Sequence, residues 1–184
     1  MDARTRDEFI AFASAPEAAP DSAASVAPAD TAGIAAEIEA GSGPRWERFR
    51  CRQVTAFLAE VRDTLVRRRP QAQLSAAVLA DTISARSRGQ DWPGWLRAGL
   101  LDQAFPMCYQ PSTASVMSQL ERFKETMGAD RVVPGIACYN QAPKAAAAKL
   151  KVARALGFSR VALFSYDALF SQRGYRRALE SYLE

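Results

Sequence analysis

Histidine is absent from the 184 residues, and that absence excludes more chemistry than any single motif adds. Without it there is no Ser-His-Asp triad, no Cys-His pair, no paired-histidine metalloprotease motif and no histidine-ligated metal. Cysteine is scarce as well. Cys51, Cys108 and Cys138 are odd in number and far apart, so they form neither a disulfide framework nor a metal knuckle. Buried free thiols are expected, and no metal or other cofactor. Any acid–base work therefore falls to carboxylates, helped by tyrosines or a lysine. Long apolar runs are missing: none approaches a membrane span, and Met1-Asp2-Ala3-Arg4 opens without a signal-peptide core. Charge of one sign is thinly spread. The net +4 comes mostly from arginines dispersed along helical patterns, and the one tight cluster, Arg67-Arg68-Arg69, falls in the last turn of a helix before Pro70. A helix dipole favours cations there. No recognition helix, RNA-binding signature or zinc-finger spacing accompanies the cluster, so nucleic acid is not an expected partner.

What is present is a core. The chain has one domain's length, and 48% hydrophobic residues suffice to pack it. The first 45 residues differ from the rest. Residues 4–13 could form a short helix with Phe9, Ile10 and Phe12 on its apolar side. Residues 15–32, rich in Ala, Pro, Ser and Asp, read as a long surface loop or linker. Residues 34–40 form a further short helix, broken by Gly41-Ser42-Gly43-Pro44.

From Trp46 the pattern is regular. Trp46, Phe49, Val54, Phe57, Leu58, Val61 and Leu65 fall at helical spacing and predict a long amphipathic helix ending near Pro70. Strands are expected at 73–80, 104–109, 131–139 and 160–166, with helices from Trp92, over 116–127, over 143–156 and over 175–183. The stretch 90–111 compresses one whole unit. Asp91 stands as N-cap to satisfy the first orphan amides, Pro93 opens a short helix, and an apolar run follows that reads as a strand buried on both faces. Strand and helix alternate at the length of βα units, which means parallel strands joined by right-handed crossovers: an α/β fold.

Each expected strand ends in similar chemistry: Asp81, then Tyr109-Gln110, then Tyr139-Asn140, then Tyr166-Asp167. Polar and aromatic groups recurring at the carboxyl ends of successive parallel strands describe a ligand cleft. Taken singly, each also suits a loop, since aspartate caps helices and tyrosine closes strands. Tyr109, Tyr139 and Tyr166 offer flat faces for sugar rings and hydroxyls for hydrogen bonds. Trp92, Trp95 and Met107 read better as core.

Residues 46–65, QLSAAVLAD (73–81), QDWPGWLRAGLLDQAFPMCY (90–109), RVVPGIACY (131–139) and RVALFSYD (160–167) resemble, in order and spacing, the carboxyl-terminal half of the glycosyl-hydrolase-like family 10 barrel. This is a bacterial group of glycoside hydrolases with a (β/α)8 (TIM) core. The resemblance implies a partial barrel of about four parallel βα units, strands five to eight, over 46–184, with 1–45 as an irregular excursion after strand four. It implies hydrolysis of glycosidic bonds in an oligo- or polysaccharide by paired carboxylates, with Asp81 and Asp167 as catalytic candidates. Tyr109, Gln110, Tyr139, Asn140 and Tyr166 would bind substrate. The family's strand-four Leu-Asp-Tyr type motif has no counterpart before Trp46. The expectation is therefore a truncated domain, inactive alone, completed by self-association or by a chain supplying the missing half. The alternative is a non-catalytic saccharide-binding or assembly half-barrel. The resemblance suggests export if the true amino terminus lies upstream.

Overall fold

A computed structural model describes residues 1–15, 30–171 and 174–183. Short apolar runs form four strands: β1 (Ser75–Leu79), β2 (Gln103–Cys108), β3 (Gly135–Ala137) and β4 (Ala162–Phe164). They pair in the order β1-β2-β3-β4, every neighbour parallel. The helices are α1 (Ala3–Ser14), α2 (Thr31–Ala40), α3 (Pro44–Arg68), α4 (Thr82–Ser87), α5 (Trp92–Arg97), α6 (Thr113–Met127), α7 (Pro143–Ala155), α8 (Tyr166–Ser171) and α9 (Tyr175–Ser181). The chain is thus α/β with a four-stranded parallel sheet.

Strand order decides where the helices go. A parallel sheet whose strands follow chain order never reverses its winding, so right-handed crossovers set the connecting helices on one face. Burial follows that rule. Along β2, Ala104, Pro106 and Cys108 are buried while Gln103, Phe105 and Met107 are only half-buried. On the covered face Val78, Ala104, Cys108 and Ile136 meet Trp92, Trp95 and Leu96 of α5 and Val116, Leu120 and Phe123 of α6. A second cluster joins Cys138 to Ala146 and Ala147 of α7 and to Tyr175 and Leu179 of α9. The expected strand buried on both faces is therefore corrected: β2 has one dry face and one open face.

The amino end of the sheet is fastened by charge-assisted bonds. Asp102 accepts from both terminal nitrogens of Arg62, at 2.5 and 3.2 Å, and from the Leu74 amide at 2.7 Å. Arg131 donates to the carbonyls of Leu96, Leu101 and Asp102. At the other end of β1, Gln90 accepts from the Leu79 amide at 2.9 Å and the Trp92 indole donates to the Leu79 carbonyl at 3.0 Å. Asp91 occupies the N-cap position of α5 but makes no side-chain capping bond. Its carboxylate lies 3.7 Å from Arg86 instead.

Two strands are shorter than their apolar runs. Over 131–139, Val132 makes only an isolated bridge to Ala104 and the ladder resumes at Gly135: Pro106 has no amide to donate towards the third run, and Pro134, whose carbonyl accepts from Ala162 on the β4 side, has none to donate towards β4. Over 160–166, β4 stops at Phe164, the Phe164–Ser165 peptide bond is cis, and Tyr166 already belongs to α8.

The first 45 residues are less irregular than expected. α1 and α2 pack against the first turns of α3 through Phe9, Ile34 and Phe49, and the Phe9 ring meets Trp46 edge-on at 4.9 Å. Glu37 accepts from the Trp46 amide at 2.8 Å. Most of the loop expected over 15–32 lies outside the described residues.

Candidate functional site

The open face of the sheet gathers aromatic rings at its carboxyl end. Tyr109 follows β2, Phe164 ends β4, and Tyr139 lies two residues beyond β3. The Tyr109 and Phe164 rings stack at 5.2 Å, and Tyr139 stands edge-on to both, at 6.1 and 6.0 Å. Tyr109 reaches Phe164 across the intervening strand because Gly135 has no side chain. A Cβ there would lie 3.2 Å from the Tyr109 ring and 3.3 Å from the Pro106 carbonyl. Tyr139 and Phe164 remain 51% and 49% exposed, so the cluster presents flat apolar surface to solvent. Burial, and then the neighbouring Tyr139, raise the Tyr109 pKa above the usual tyrosine value. That hydroxyl therefore stays protonated near neutrality, as a hydrogen-bond donor.

Of the residues expected from the sequence, Tyr109, Tyr139 and Asn140 come together: the Asn140 side-chain amide donates to the Tyr109 carbonyl at 2.8 Å. Gln110 is exposed beside them, and its carbonyl accepts from the Lys149 ammonium at 2.6 Å. Tyr166 does not join this group. It is 72% exposed at the start of α8 and packs on Phe170, ring centroids 4.5 Å apart.

The two carboxylate candidates stand at opposite edges of the sheet. Asp81 follows β1 and Asp167 follows β4. Three inter-strand steps of about 4.8 Å put those strand ends on the order of 14 Å apart. Asp81 caps α4, accepting from the Ser84 amide at 2.8 Å. That bond, chiefly, holds its carboxyl below the usual aspartate range, so Asp81 is a standing negative charge rather than a proton donor at neutral pH. Asp167 is exposed in the first turn of α8.

Two participants escape a reading by composition. Phe164 replaces Tyr166 as the ring at the end of β4, a shift of two residues that follows from where the strand stops. Lys149 is fully buried. It shares a helical stripe with Ala146 and Ala153, and a lysine in an otherwise apolar stripe is the one signal the sequence carries for it. Cys51, Cys108 and Cys138 are buried free thiols. Burial pushes Cys108 up to about 12, so it is no nucleophile at neutral pH.

Among the described residues, no group of three or more Cys, Asp or Glu could hold a metal ion, and no helix is long and apolar enough to cross a membrane. A groove of about 730 Å3 lies elsewhere, along α3, lined by Phe57, Val61 and Leu65 with Glu60 and Arg68. It holds no paired carboxylates. No family model matches the chain, and no curated protein does.

Proposed function

We propose that the chain is the carboxyl-terminal half of a (β/α)8 barrel of the glycosyl-hydrolase-like family 10 type, and that its strand-end cleft binds an oligo- or polysaccharide. The observation that carries this reading is the Tyr109–Tyr139–Phe164 cluster, half-exposed at the carboxyl ends of β2, β3 and β4 on the open face. Parallel barrels do their chemistry at that end. Pyranose rings have apolar faces that settle on aromatic rings, while Asn140 and Gln110 border the cluster as hydrogen-bonding groups. The barrel itself is supported by the unreversed strand order and, among the described residues, by a sheet with one open face and two unpaired edges, β1 and β4. The exposed flank of α3, with Phe57 and Val66 in solvent, is a further surface that a preceding βα unit would cover.

The geometry favours binding over hydrolysis by this chain alone. Carboxylate pairs that cleave glycosides stand about 5–9.5 Å apart, and one member has a raised pKa so that it can act as acid. Asp81 and Asp167 follow opposite edge strands, and among the described residues every carboxylate with a displaced pKa is displaced downward. In this reading Asp81 supplies negative charge to a site whose acid comes from the other half of the barrel. Titration calorimetry with cello-, xylo-, malto- and chito-hexaose tests it. Binding of at least one hexaose is expected, weakened about 5–10-fold by Tyr139→Ala if that ring contributes on the order of 1 kcal/mol. No turnover of aryl glycosides is expected. Silence towards all four sugars overturns the saccharide reading, and turnover by the chain alone overturns the division of the site.

A further inference from the structure

Lys149 is the anomaly of the interior. Its side chain is fully buried, and among the described residues no acidic group pairs with it: burial is the cause of its lowered pKa. Its ammonium instead donates to two oxygens on two different loops, the Gln110 carbonyl after β2 and the Gln141 side-chain oxygen after β3. Gln141 is fixed in turn. Its side-chain amide donates to the Ala137 carbonyl at the end of β3, and its own carbonyl accepts from the Tyr175 hydroxyl at 3.1 Å. Burying an ammonium without a carboxylate is costly, and an apolar residue would fit the stripe shared with Ala146 and Ala153. Carbonyl and amide oxygens of irregular loops, however, need a donor that can reach them from the helix layer.

We propose that Lys149 is the positioning residue of the cleft: from behind the sheet, its ammonium fixes the spacing of the β2–α6 and β3–α7 loops. Those loops carry Tyr109, Gln110, Tyr139 and Asn140. Asn140 ties them at the surface through the Tyr109 carbonyl, and Lys149 ties them from beneath. Their role in sugar binding rests on the reading above; the mechanical role of Lys149 does not.

The test compares Lys149→Met, which keeps an unbranched side chain one atom shorter and removes the donors, with Lys149→Arg, which keeps charge and donors. Backbone 15N relaxation reports on residues 109–112 and 139–142. In Lys149→Met their order parameters should fall from roughly 0.85 to below about 0.6, while those of β1 and the amino end of β2 stay rigid. Lys149→Arg should restore most of the loss. Whichever hexaose the wild type binds should bind about tenfold more weakly to Lys149→Met, and near wild-type strength to Lys149→Arg. If Lys149→Met fails to fold, Gln141→Leu removes one of the two acceptors and should loosen the same two loops. Loops that stay rigid in the variant, or loosening spread evenly over the sheet, overturn the proposal. A wild type that binds no hexaose refutes the saccharide reading alone, because the relaxation measurement still decides the role of Lys149.

Discussion

Trp92→Phe is the sharpest probe of how the carboxyl end of β1 is held. Trp92 has no exposed surface, its indole N–H donates to the Leu79 carbonyl at 3.0 Å, and its ring meets Phe123 edge-on at 5.4 Å. Phenylalanine keeps a ring for Phe123 but removes the donor. A half-buried strand-end carbonyl left without its partner costs about 1–3 kcal/mol. The space vacated by the lost pyrrole adds on the order of 1 kcal/mol, at roughly 24 cal/mol per Å3 of residual cavity. The sum is about 2–4 kcal/mol, which in a chain of this size lowers Tm by roughly 5–15 °C. Urea unfolding followed by far-ultraviolet circular dichroism measures it, with an unchanged m-value showing that the denatured state is not the cause. Thr55→Val is the companion, since it leaves the Trp95 indole without the Thr55 hydroxyl it meets at 2.8 Å. It should cost about 1 kcal/mol. A Trp92→Phe protein within about 0.5 kcal/mol of wild type would refute the reasoning, because neither the hydrogen bond nor the packing could then matter as argued.

Three further outcomes follow from the same geometry. The Cys108 thiol is pushed up to about 12 from an ordinary value of 9.0, so above pH 9 the unfolded chain releases a proton that the folded one retains. Stability should therefore fall by about 1.4 kcal/mol per pH unit between those values, and Cys108→Ala should flatten that limb in urea titrations from pH 8 to 11. Asp102 is held below the usual carboxylate range chiefly by Arg62, so it stabilises the fold above the unfolded aspartate range and loses that contribution as pH falls through its depressed value. Asp102→Asn should make the acid limb of the stability curve shallower, and equal steepness in both proteins would count against the pair. Asp81→Ala should cost about 1 kcal/mol as a lost cap of α4, whereas Asp81→Asn keeps the cap. In a completed barrel Asp81→Asn should nevertheless lose activity; full activity would leave Asp81 as a cap and nothing more.

Periodicity alone determined much of this molecule. Apolar runs separated by amphipathic helices required βα units, so the parallel strands and the long α3 were legible, as were buried Trp92 and Trp95 and thiols too dispersed to pair. The absence of histidine likewise confined any acid–base work to carboxylates, lysine and tyrosine before a fold was known. The strand-end tyrosines were visible because a polar aromatic closing an apolar run breaks the alternation at a definite place. Other features depended on contacts between residues distant in sequence. Pro106 and Pro134 cut the ladder of the third run, and β4 stopped at Phe164, so Phe164 rather than Tyr166 stacks on Tyr109. Gly135 admits that stacking because a neighbouring strand needs the room, which no local pattern records. Lys149 reads in the sequence as one more cation on an alanine-rich helix. Only the packed structure shows that it is buried and bonded to Gln110 and Gln141, 39 and 8 residues away. Local propensity and hydrophobic period are properties of neighbouring residues, so the sequence carries them. Which donor meets which acceptor across the sheet is settled by how the elements pack, and that only the tertiary structure decides.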